Sequence, residues 1–373
     1  MDVFRCIHAS RLLLDHQLHV AGNFEPRVQK LVEEATLTAF DRVIDEALVH
    51  EANCLLLSGD CFDPADRSLR GPAALVRGLT RLAENDTPVV LHASPRLSSN
   101  WPEGLRLPPN VHRLGFGFES SISISRAGQL LATVSREGSG DDAGGWRVGL
   151  AGPAGANRTF SIADDHASVQ GIRAEETGLH GCTVLEFDFE SATCPQRSFI
   201  PVAPVRWERY SLTVIAATAH DDLVQEMATR LEQSPRCAGE QVRLVTWIVA
   251  GHGPLMDRLV RPGVRANLLD DLAQLEPLPG IAVHTHAFRL HPAGGEPIPS
   301  NDEPANDFAL RLDERFARPA AALHECLAGS GLHGGPWGVK IESLFGELDA
   351  GELAHDARRL AMHWFAAEEE LSS

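Results

Sequence analysis

The chain has 373 residues, 43% of them hydrophobic, and a formal charge of -18 from 51 acidic against 33 basic residues, with Lys30 and Lys340 as its lysines. That length exceeds one typical domain, and that acidity excludes the general attraction to phosphate backbones that Lys and Arg supply. No run reaches the roughly 18 apolar residues of a membrane span. The amino terminus carries no positively charged leader, so a cytoplasmic protein without membrane contact is expected.

Residues 3–9 read as a first strand, followed by a leucine-bearing loop. Over residues 26–50, Val28, Leu31, Val32, Ala35, Ala39, Phe40, Val43, Ile44 and Ala47 recur at three- and four-residue steps, which predicts an amphipathic helix with Pro26 in its first turn. The run Cys54-Leu55-Leu56-Leu57-Ser58-Gly59-Asp60 reads as a buried strand that delivers a carboxylate to the carboxyl edge of a sheet. Asp63 then suits the cap of a turn. A helix over 72–84 and a strand over 88–92 complete a β-α-β-α-β order, which implies right-handed crossovers and a parallel sheet.

From residue 110 the pattern changes to short alternating runs, at 111–114, 121–125, 130–134 and 146–150, with a glycine-rich loop over 138–145. Residues 182–189 and 197–201 suit an antiparallel pair. A boundary is expected near Pro204. Strands at 207–216, 241–250 and 281–290 alternate with helices at 221–231 and 255–275, the latter interrupted at Pro262-Gly263, which suggests a compact α+β unit. The expected organisation is a first domain over 1–203, a second over 204–292, a linker over 293–306 and a helical segment over 307–373 carrying Phe308, Leu312, Phe316 and Trp364.

The seven cysteines, Cys6, Cys54, Cys61, Cys182, Cys194, Cys237 and Cys326, form no C-x-x-C pair. Zinc ribbons and thioredoxin-like motifs are thereby excluded, and reduced, buried thiols are expected. No G-x-S-x-G elbow or Gly-rich phosphate loop is present, so neither a serine hydrolase nor a nucleotide-binding fold is supported.

The order of features resembles the SbcD-type DNA repair exonucleases of the calcineurin-like metallophosphoesterase superfamily, in particular their YhaO-like branch. The residues that carry the resemblance are His8-Ala9 with Leu12, Leu14 and Asp15, then Ser58-Gly59-Asp60-Cys61-Phe62-Asp63, Leu107-Pro108-Pro109-Asn110-Val111-His112, Gln170-Gly171-Ile172-Arg173, Glu176-Thr177-Gly178-Leu179-His180 and Val205-Arg206-Trp207-Glu208-Arg209. It implies an α/β protein with a four-layer α/β/β/α sandwich, a small α+β capping domain and carboxyl-terminal helices. Those helices would dock on the coiled coil of an SbcC-like ATPase. It also implies a homodimer through helices of the phosphoesterase domain.

An active member holds two divalent cations on ligands from five motifs. Here Arg11 stands where the first motif has Asp, and Leu13 where it has His; Ala93-Ser94-Pro95-Arg96 replaces Gly-Asn-His-Asp. The strand ending near Ala151 runs into Gly152-Pro153 without a His, and the Gly-His-x-His segment is missing. Asp60 alone remains, as a vestigial ligand, with Arg11 and Arg96 as candidate partners for its carboxylate and as charges that repel cations. The resemblance therefore implies a degenerate enzyme without cofactor, acting as a scaffold or regulatory subunit that meets DNA through its complex. The alternative is a Mn-dependent exonuclease or phosphodiesterase with ligands drawn from His8, Asp60, His92 and His166. His8 and His92 suit satisfied core positions, while His252, His284, His286 and His291 form a second candidate cluster of low specificity. His166 beside Asp164 and Asp165 is a third.

Overall fold

The structure is a computed structural model. It describes residues 3–292 apart from residues 15, 19, 21–23, 63–67, 93–100, 103, 116–117, 127, 137–145, 151–157, 163–167 and 190–194. Residues Met1–Pro292 form one compact unit. The linker over 293–306 and the helical segment over 307–373 lie outside the described residues, as do Asp15, Asp63, Arg96, Cys194, Cys326 and the Asp164-Asp165-His166 run.

The first sheet has six strands in the order β10-β9-β1-β2-β3-β4. Its parallel half is β1 (Val3–Ser10), β2 (Cys54–Ser58), β3 (Val89–His92) and β4 (Val111–Leu114). The antiparallel pair β9 (Gly181–Asp188) and β10 (Gln196–Pro201) extends it beyond β1. A second sheet, β5 (Ser121–Arg126), β6 (Gln129–Arg136), β7 (Trp146–Leu150) and β8 (Arg158–Ile162), is antiparallel throughout.

Period-two alternation decides which residues meet in which layer. Ile7, Ala9, Leu55, Leu57, Val89 and Leu91 face the helices α2 (Ala35–Val49) and α3 (Arg70–Ala83), whose Phe40, Val43, Ile44, Leu75 and Leu79 complete that core. The intervening residues Phe4, Cys6, Cys54, Leu56 and Val90 face the second sheet and pack on Ile122, Ile124, Val134, Trp146 and Val148. The result is helices, sheet and sheet in three layers. No helix covers the outer face of the second sheet among the described residues.

The helix predicted over 26–50 is two helices. α1 (Pro26–Glu33) and α2 meet at Glu34, whose φ of -103° and ψ of 11° break the helical path. The cause is that the two halves serve different cores. Val32 packs with Trp207 and Leu244 in a separate cluster, whereas Phe40 and Ile44 lie on the first sheet.

Residues after Pro204 form a third sheet of β11 (Val205–Val214), β12 (Val242–Gly251) and β13 (Ala282–Pro292), all parallel. An α+β arrangement was expected there, but α4 (His220–Gln233), α5 (Pro254–Leu259) and α6 (Pro262–Gln274) act as crossovers on one face, which makes this part α/β in layout. Its opposite face, with Val205, Trp207, Val242 and Leu244, packs on α1, Leu13, Leu18 and Ile172.

Candidate functional site

The carboxyl ends of β1 and β2 place their following residues side by side. The loop after β1 is tied to the loop after β2 by backbone bonds from Arg11 N to Ser58 O (2.9 Å), Leu13 N to Asp60 O (3.2 Å) and Leu14 N to Cys61 O (2.9 Å). Gly59 makes this approach possible. Its φ is +71°, and a Cβ there would stand 3.1 Å from Arg11 Cγ and 3.2 Å from Arg11 N. Arg11 and Leu13 also take left-handed φ values, 47° and 43°.

Asp60 emerges from this turn half-buried. The neighbouring Cys61 thiol is fully buried, and burial followed by the Asp60 charge pushes its pKa up to about 12. Arg11, which the sequence made a candidate partner of Asp60, reaches Glu176 instead, with Nη2 donating to Oε1 at 3.3 Å. The other Glu176 oxygen accepts the backbone N–H of Ile172 at 2.9 Å. Leu13, at the position of a motif histidine, is buried with Trp207 and Val32 in the core beneath the third sheet.

On the inter-sheet side of the same edge, His8 and His92 meet Trp146. His8 Nε2 lies 3.0 Å from Ser58 Oγ. The rings of His8 and His92 lie 6.2 Å and 6.3 Å from that of Trp146, edge-on at 74° and 77°. Trp146 is fully buried, and the Arg136 guanidinium sits 4.9 Å from its ring centroid. Its indole N–H has no acceptor among the described residues. The sequence placed Trp146 on a strand but gave no sign of its neighbours, because those neighbours come from β1, β3 and β6.

The direction of β7 matters too. It begins at Trp146, near the carboxyl edge. Two residues on, Val148 pairs with Phe160, whose ring is 5.3 Å from that of Phe187. Phe187 in turn pairs with Phe4, at the opposite end of β1. So β7 runs away from the edge, and its end at Leu150 leads away from where a motif histidine would be needed.

A two-cation centre requires several oxygen and imidazole ligands within reach of each other. No group of three or more His, Cys, Asp or Glu side chains is arranged to hold a metal among the described residues. Among the described residues, the loop bonded to the Asp60 turn offers Arg11 and Leu13, neither of which is a metal ligand.

The second candidate cluster also disperses. His284 stacks on Phe24, with centroids 4.2 Å apart, and His286 is edge-on to Trp207 at 5.0 Å. Val245 pairs with Thr285 and Thr246 with Ala287, so His286 is the extra residue of a β-bulge. Burial, then the nearby His284, pulls the His286 pKa below its ordinary value. His252 and His291 are exposed at the far ends of β12 and β13.

No protein-family profile matches the chain. Over 130 residues, 34% of the chain and 32% of the relative, it is 27% identical to a Bacillus subtilis (strain 168) protein named as the uncharacterized metallophosphoesterase YhaO. The chain thus matches about a third of that relative's length. This likeness supports a metallophosphoesterase-like family and agrees with the mixed α/β layers described above.

Proposed function

We propose that the chain is a catalytically silent relative of the SbcD-type exonucleases that serves as a scaffold or regulatory subunit of an SbcC-like coiled-coil ATPase in DNA metabolism. In this reading the three described layers belong to a four-layer sandwich, the third sheet to a capping domain, and the apolar stripes of residues 307–373 to the docking helices. The protein works in the cytoplasm and reaches DNA through its complex. A homodimer is compatible with it.

One observation carries the silent-enzyme reading. The loop bonded to the Asp60 turn carries Arg11 and Leu13, and neither side chain is a metal ligand. A bridging hydroxide needs two cations held close together on oxygen or imidazole ligands, which Arg11 and Leu13 do not supply. The competing reading, a Mn-dependent exonuclease using His8, Asp60, His92 and His166, needs His8 and His92 to converge. Both rings lie edge-on to Trp146, and among the described residues they form no group of three ligands with Asp60.

The test is metal content and phosphodiesterase activity of protein purified with manganese supplied. The expected result is metal far below one equivalent, no hydrolysis of bis-p-nitrophenyl phosphate, and no change in Asp60→Ala. Near-stoichiometric manganese that disappears in Asp60→Ala would overturn the proposal and favour the competing one.

A further inference from the structure

At the outer end of the first sheet, the Arg113 guanidinium carbon lies 4.9 Å from the Trp101 ring centroid and 5.2 Å from that of Phe118. Trp101 is itself edge-on to buried Phe62, with centroids 5.6 Å apart at 68°, so the stack is anchored in the core beside β2. Two rings against one guanidinium fix both its position and its orientation. Its hydrogen-bonding edge is not used in this way. Arg113 forms no hydrogen bond or ion pair among the described residues.

Several other arginines of this acidic chain are neutralised locally. Arg5, Arg70, Arg81 and Arg243 each reach a carboxylate at 2.6–2.7 Å. Arg113 is held by aromatic rings with its donors directed to no carboxylate, although Glu119 lines the same groove. That groove, of about 620 Å³, runs along β4, the last strand of the sheet, with walls from Leu107, Pro108, Val111 and Phe118. The Phe118 ring is 48% exposed.

We propose that this groove docks an extended acidic peptide of a partner protein. A carboxylate of the peptide pairs with the two-pronged edge of Arg113, and an adjacent apolar side chain packs on Pro108, Val111 and Phe118. The planar fork of a guanidinium matches a carboxylate bidentately. Because the rings already hold Arg113, pairing costs little further side-chain entropy. An exposed aromatic beside an arginine is the composition of an interface hot spot. The aliphatic and proline walls suit a peptide side chain, and a net charge of -18 repels a polyanion such as nucleic acid at long range while weighing little on one carboxylate. The lining of the groove contains no residue of the Asp60 turn.

The experiment uses the full-length chain and an array of synthetic octapeptides, each with one Asp or Glu beside a varied apolar position. A matched array carries the amide at each acidic position, and a labelled oligo-dT is the nucleic-acid arm. Binders are confirmed by fluorescence anisotropy of labelled peptide. Acid-selective binding is expected, weakened about tenfold or more in Arg113→Gln and also in Arg113→Lys, which keeps the charge but loses the fork. Phe118→Ala, at an exposed ring, gives the same direction should the Arg113 variants lose their fold by circular dichroism. Equal binding of acid and amide peptides, absence of any acid-selective binder, indifference to these substitutions, or Arg113-dependent binding of the oligonucleotide alone would each overturn the proposal.

Discussion

Gly59 and His286 show how single residues hold this chain in shape. Gly59 sits at a left-handed φ with Arg11 packed against the site of a missing Cβ. Gly59→Ala combines backbone strain with crowding and is expected to lower stability by about 1–3 kcal/mol, read from urea denaturation. His286 is the reverse case, a side chain whose environment disfavours its charge. Burial, His284 and Arg289 lower its pKa from 6.5, while Glu175 alone of its charged neighbours acts to raise it. The unfolded chain therefore takes up a proton at His286 before the folded chain does. Stability contributed at this residue is constant above pH 6.5 and falls as the pH drops from 6.5 toward the lower folded value. In His286→Phe, which keeps a ring against Trp207, this part of the acid loss disappears; denaturation midpoints of the two proteins between pH 7.5 and 5 measure it. Neither effect was legible in the sequence. Gly59 was read as part of a motif, and His286 as half of a chelating pair, because alternation places residues 284 and 286 on one face and gives no warning of a bulge.

Among the elements, the pair α2 and α3 rests on close approach more than on its charges. Three ion pairs, Arg70–Glu34, Arg77–Asp41 and Arg81–Asp45, run along the seam. All are substantially exposed, so each contributes less than about 1 kcal/mol. Gly78 lies beneath them, where a Cβ would be 2.7 Å from Phe40 Cε1 and 3.0 Å from Ile44 Cγ1. Gly78→Ala gains roughly 1 kcal/mol of helix propensity and loses about 1–3 kcal/mol to overpacking. The expected net change in thermal denaturation is destabilisation larger than that of Arg81→Ala. Helical spacing predicted both helices from the sequence. It could not predict the break at Glu34, since one period runs through both halves of residues 26–50 and only the existence of two separate cores divides them. β8 went unread as well, being five residues between runs of Gly, Asn and Asp.

At the scale of the whole molecule, the described residues join four apolar cores with buried charge. In the third sheet Arg243 is fully buried and holds Glu240 through Nε at 2.7 Å and Nη2 at 2.9 Å. Arg206 pairs with Glu208 on the same face, and its Nη1 donates to Pro235 O at 2.7 Å. With such cations committed internally, the net charge of -18 is what an approaching polyanion meets. The isolated chain is expected to show no measurable binding to a 20-base-pair duplex at about 0.15 M salt, a condition under which non-specific binders still associate. Tight binding with a steep salt dependence in an electrophoretic shift assay would contradict this.

By itself the sequence determined the mixed α/β class and the parallel strands β1, β2 and β3, since each follows from residue type and short-range period. What only the tertiary structure decided are relations between residues far apart in the chain. Arg11 turns to Glu176, 165 positions away, rather than to Asp60. Trp146 meets His8, His92 and Arg136, and β7 runs away from the edge it begins at. A local pattern states which face of a strand is apolar; it carries no information about which strand stands opposite, or in which direction. The chemistry of this edge depends on that second kind of fact.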